Sequence, residues 1–112
     1  MKRVCFKPEF VEPIRSGRKT ATMRFNPLPV YVGDVVAAVT SQDGKPAFFA
    51  WVEDRFATLR IDAVFKTTVE TMTTQQAWEA GFATLDEARK WYLARRDQGD
   101  GALWGYAFEV VE

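Results

Sequence analysis

In "LRIDAVFK", residues 59 to 66, apolar side chains fall at every second position: Leu59, Ile61, Ala63 and Phe65. Successive side chains of a strand point to opposite faces, so this period describes a β-strand with one face in a core and one in water. "ALWGYAFEVV" (102–111) repeats the pattern over a longer run, and "RVCFK" (3–7) does so in brief. "VVAAVT" (35–40) reads as a buried strand. "SQDGKP" (41–46) carries the Asp-Gly signal of a tight hairpin, with "AFFAWV" (47–52) as its returning strand. "KTATMR" (19–24) is extended, and a proline-bearing connector, "FNPLPVYVGD", closes on a Gly33-Asp34 turn.

Helices are fewer and short. Pro8 suits a first helical turn, and Phe10 and Ile14 form an apolar i, i+4 pair before Gly17, while Pro13 keeps that helix irregular. Thr73 with Gln76 makes a capping box, followed by a stop at Gly81. Thr84 with Glu87 starts a second helix, predicted from Leu85 to Asp97 with Leu85, Ala88 and Tyr92 buried, and "QGDG" (98–101) breaks it. Strand, short helix, four strands, two helices, strand is an α+β order. It favours a small mixed, mostly antiparallel β-barrel with short helices to one side over alternating βαβ units.

A chain of 112 residues, 47% hydrophobic with four Trp and nine Phe, suffices for one packed domain spanning residues 1–112. No apolar run nears the roughly 20 residues of a membrane span, and the first ten residues lack a signal-peptide core, so a soluble cytoplasmic protein with no membrane partner is expected. Cys5 stands alone and histidine is absent. Internal disulfides, histidine-based catalytic triads, structural zinc sites and the zinc deaminase signature are thereby excluded, and neither a metal nor a cofactor is expected. Any acid–base work falls to Lys, Glu, Asp or Tyr. Net charge is zero, but residues 1–24 hold seven Lys or Arg against two Glu. That local excess suits a small anionic ligand better than a long duplex, and it also describes a solvated basic face.

The densest packet of cations is "SGRKTATMR" (16–24). In a regular strand Thr20, Thr22 and Arg24 share one face and Ala21 and Met23 the other. Thr22 and Arg24 are therefore expected to line a cleft, Thr20 to act as a simple β-former, and Lys19 to curl in from the turn after Gly17. Arg24 is equally readable as a structural ion-pair partner of Asp34 or Glu79. The four Trp are mostly core residues by composition, with Trp78 a candidate aromatic wall for a base and Tyr106 a weaker one.

"IRSGRKTATMR", then "GDVV", "AWEAGF", a T-x-x-E helix start and "GYAFEVV" together resemble the ASCH domains, a branch of the PUA-like β-barrels, over nearly the whole chain. The resemblance implies a PUA-like barrel and an association with RNA. Small bacterial members hydrolyse N4-acetylcytidine to cytidine and acetate with a Lys, a Thr and a Glu, which implies catalytic roles for Lys19, Thr22 and Glu79. Family members commonly place the acid directly before the Gly-Phe that ends the short helix; here Ala80 stands there, and Glu79 is one step, about 100° of helix rotation, away. Arg18, Arg24, Trp78 and Tyr106 complete the set as substrate-binding residues. For deacylation, Thr22 needs an adjacent base, and without histidine that base is neutral Lys19, its pKa lowered by about two to three units from 10.4. Alternatively Lys19 stays charged and polarises the carbonyl. The expected partner is a nucleoside or single-stranded RNA, with a non-catalytic RNA-binding module or a metal-independent ribonuclease as competing functions.

Overall fold

The computed structural model describes residues 1–40, 50–96 and 101–111. Its strands are β1 (Arg3–Phe6), β2 (Ala21–Arg24), β3 (Val35–Thr40), β4 (Ala57–Thr68) and β5 (Ala102–Val110). Its helices are α1 (Val11–Arg15), α2 (Thr74–Glu79) and α3 (Leu85–Leu93), with 3-10 turns at Pro8–Phe10 and Val52–Asp54. The strands form one sheet in the order β1-β3-β4-β5-β2. β1 runs parallel to β3, and every other pairing is antiparallel. The α+β class, the mixed and mostly antiparallel sheet and the short helices agree with the sequence. No helix among the described residues is long and apolar enough to cross a membrane.

The Thr73–Gln76 capping box forms with both of its bonds, and the Thr84 hydroxyl caps α3. Thr73 Oγ1 accepts from the Gln76 amide at 3.0 Å while the Gln76 side chain accepts from the Thr73 amide at 2.9 Å, and Thr84 Oγ1 accepts from the Glu87 amide at 3.1 Å. α3 ends at Leu93, earlier than expected; Ala88 and Tyr92 are buried, and Leu85 is half-buried. Gly17, at φ +81°, follows the end of α1.

Two strand expectations need correction. The Asp43-Gly44 hairpin and residues 47–49 lie outside the described residues; in the described end of the expected returning strand, Trp51 is exposed and belongs to no strand, and Val52 opens the 3-10 turn Val52–Asp54. The place beside β3 is taken by the first half of β4, whose Ala57–Arg60 pairs with Val35–Ala38. Secondly, Ala63 is exposed. Ile61 pairs with Phe108 and Ala63 with Ala107, so Asp62 is the extra residue of a β-bulge that reverses which face the following side chains occupy.

That reversal lets one strand serve two cores. Leu59 and Ile61 enter the barrel core with Val36, Tyr106 and Phe108. Past the bulge, Phe65 packs on the opposite side with Met23, Leu103 and the inner faces of α2 and α3. Phe10 touches both clusters. The two edge strands, β1 and β2, are joined by a side chain rather than a ladder: the Arg24 guanidinium donates to the Cys5 carbonyl.

Phe65 lies over its cross-strand partner Gly105, where an added Cβ would fall 2.2 Å from the ring. Gly105→Ala is expected to destabilise the fold by about 2 kcal/mol, as overpacking does. Urea unfolding measures it, and adding Phe65→Leu should recover part of the loss.

Candidate functional site

The segment between α1 and β2 is pinned by backbone bonds from three directions. Lys19 N donates to Pro13 O at 2.9 Å, Thr20 N to Glu79 O at 2.8 Å, and Phe108 N to Thr20 O at 2.9 Å. Lys19 thus leaves the strand pattern, and its side chain runs inward across Gly81. Gly81 has φ +100°, and a Cβ there would sit 3.3 Å from Lys19 Cδ, so the glycine supplies both the turn and the space.

Lys19 is 2% exposed. Its Nζ donates to Ala21 O at 2.8 Å and to Ala80 O, at the end of α2, at 2.6 Å, and stands 4.5 Å from the centre of the Phe10 ring. Those contacts favour the ammonium form, but burial outweighs them, with Arg24 and Arg18 adding like-charge repulsion, and the pKa falls from 10.5 to about 7. A neutral amine has only two hydrogens. The two carbonyls take both, which leaves the lone pair unengaged.

Lys19, Thr22 and Arg24 line one cavity of about 450 Å³ at the seam between the edge strands. Thr22 is buried, and β2 holds it and Arg24 on a common face, as strand parity requires. Arg24 is packed 5.0 Å from the Phe6 ring centre, and its Nε is buried without a partner. Burial lowers its pKa as well. It forms no ion pair with Asp34, which takes Lys2 at 2.9 Å instead.

The other expected site residues lie elsewhere. Glu79 is absent from the cavity wall, and its carboxylate accepts from Gln75 Nε2 at 2.8 Å on the surface of α2. The helix ends without a looser turn that would re-aim it, since Ala80 keeps right-handed helical angles. Arg18 stacks 3.3 Å over the half-exposed Trp78 ring and donates to the carbonyls of Trp78 and Phe82, at 3.0 Å for the latter, bracing the α2–α3 corner. Tyr106 is buried in the barrel core, its hydroxyl accepting from Leu28 N at 2.7 Å.

The cavity wall instead recruits α3 and the chain after β1. Trp91, Tyr92 and Arg95 line it, as do Lys7 and Phe10. Tyr92 Oη donates to Met23 O at 2.7 Å, and burial pushes its phenol pKa up. Arg95 lies 3.7 Å over the Trp91 ring and donates to Trp91 O at 2.8 Å. Its i, i+4 spacing from Trp91 at the helix end was the available signal. No carboxylate lines this cavity among the described residues.

No protein-family model and no curated protein matches this chain. Solved structures do. The ASCH protein from Zymomonas mobilis is 18% identical, with a TM-score of 0.65 over 96% of this chain and 68% of its own. The ASCH domain from Lactobacillus crispatus JV V101 is 18% identical, with a TM-score of 0.68 over 98% of this chain and 80% of its own. A protein of Enterococcus faecalis V583 from the DUF984 family is 21% identical, with a TM-score of 0.65 over 92% and 67%. The fold is that of the ASCH domains.

The lowered Lys19 pKa has a consequence for stability. Between pH 7 and 10.5 the unfolded chain holds a proton that the folded chain has released, so stability rises with pH across that window. The Lys19 contribution to the slope is at most about 1.4 kcal/mol per pH unit. Urea unfolding of the wild type and Lys19→Met at pH 7, 8 and 9 should show the variant's slope reduced by this contribution.

Proposed function

We propose that this protein hydrolyses the N4-acetyl amide of acetylcytidine through a Lys19–Thr22 pair. The observation that carries the reading is the buried lysine, with a pKa of about 7, that shares a cavity with a buried threonine. A base poised near the working pH is what hydroxyl activation demands, and desolvation supplies it without histidine.

In this reading the acyl carbonyl enters beside Thr22. Neutral Lys19 takes the hydroxyl proton as Thr22 Oγ1 attacks, and the unpartnered Arg24 Nε–H donates to the developing oxyanion. The C–N bond then breaks. Because no carboxylate lines the cavity among the described residues, the same Lys19 returns its proton to the departing cytosine amine, serving as base and then acid. Water attacks the acetyl-threonine ester as Lys19 takes its proton, and Lys19 passes that proton to Thr22 Oγ1 as the ester C–O bond breaks, so that acetate leaves and both residues are restored. Glu79 has no part in these steps.

A second reading rests on the same missing carboxylate: a module that holds RNA or a modified base without turnover, its cations engaging phosphate and Trp91 flanking the base. Incubation with N4-acetylcytidine and chromatography for cytidine separates the two; absence of product at high enzyme concentration would favour binding alone. Lys19→Ala and Thr22→Ala are each expected to lower kcat/KM by about 10²–10⁴ while circular dichroism stays native. Glu79→Gln should stay within about threefold of wild type, a difference under 1 kcal/mol in barrier. The rate should rise with pH to a plateau, with a midpoint about pH 7 as Lys19 loses its proton.

A further inference from the structure

The cavity that holds Lys19 and Thr22 is charged well beyond what a neutral nucleoside requires. Lys7, Lys19, Arg24 and Arg95 all line it. Among the described residues none of the four is in an ion pair with an acid. The basic groups are also graded by depth. Lys19 is buried, Arg24 and Arg95 are half-buried, and Lys7 is exposed. Arg95 is held over the Trp91 ring, with one guanidinium nitrogen bonded to Trp91 O, which leaves its remaining N–H groups for a ligand. A planar fork of this kind suits phosphate oxygens, and holding it in advance reduces the entropy lost on binding.

We infer that the ligand of this cavity is a nucleotide carrying a phosphomonoester, with its base directed inward to Thr22 and its phosphate held at the rim by Arg95 and Lys7. This rests on the function proposed above and narrows it from a free nucleoside to a mononucleotide. The volume supports one unit rather than a strand: about 450 Å³ lies at the lower end of the range of small-molecule sites and accommodates a single nucleotide. The charge supports a monoester, because two rim cations match a dianion, whereas an internal phosphodiester carries a single negative charge.

The test uses binding of the reaction product, so it does not depend on turnover. Calorimetric titration of the wild-type chain at low salt should find cytidine 5′-monophosphate bound at least tenfold tighter than cytidine, with the ratio shrinking as salt is raised. Arg95→Gln and Lys7→Ala should each reduce the ratio, and inorganic phosphate should compete with the nucleotide but not with cytidine. Equal affinity for nucleotide and nucleoside overturns the inference, as does a ratio that survives in the Arg95→Gln, Lys7→Ala double variant with native circular dichroism. A short cytidine oligonucleotide that binds far more tightly than the mononucleotide also overturns it, in favour of a strand. Parallel assays of N4-acetylcytidine and its 5′-monophosphate keep the two ideas apart. If neither turns over while the binding ratio holds, the hydrolase reading falls and the phosphate site stands; if both turn over with equal kcat/KM and equal binding, the reverse is true.

Discussion

A single amine organises the candidate site. Lys19 Nζ ties the start of β2, through Ala21 O, to the end of α2, through Ala80 O, and its alkyl stem fills the space left by Gly81. A buried lysine is unfavourable unless its hydrogens find acceptors, and here two backbone carbonyls provide them without neutralising the charge. A carboxylate in their place would have held the lysine as an ammonium at neutral pH. The choice of carbonyls keeps the amine dry, oriented and titratable.

The barrel's irregularities make the space around it. β1 and β2 are the edges of the sheet and are joined by the Arg24 side chain instead of a ladder, so the seam between them is wide enough for a cavity. The bulge at Asp62 turns the second half of β4 to the outer core, where Phe65 helps to seat α2 and α3 against β5. α3 in turn brings Trp91, Tyr92 and Arg95 over the seam. A regular β4 would have left Phe65 in the barrel and those helices without that contact.

Much of this was legible in the sequence because it depends on local rules. Threonine caps with Gln or Glu three residues on, and the parity that puts Thr22 and Arg24 together, follow from geometry over a few residues. What failed depends on partners distant in the chain. An extra residue such as Asp62 leaves the apolar alternation intact while reversing the face of everything after it, so Ala63 looked like a core position. Val52 belongs to an apolar run, but β4 already occupies the place beside β3. Glu79 has the right chemistry one step away from a useful direction, and a regular helix end leaves it on the surface with Gln75. Helical periodicity places Tyr92 inward but does not distinguish a core from a cavity wall, and for that reason the α3 contribution stayed hidden.

The position of β2 in the sheet carries one more consequence. Its sole neighbour is β5, so residues 21–24 have no strand to pair with until residues 104–107 are available. On the ribosome, the segment that holds Thr22 and Arg24 emerges about eighty residues before its partner, a delay of several seconds at ordinary elongation rates. The cavity is therefore a late product of folding, and a chain interrupted before β5 lacks the strand on which the wall carrying Thr22 and Arg24 is built.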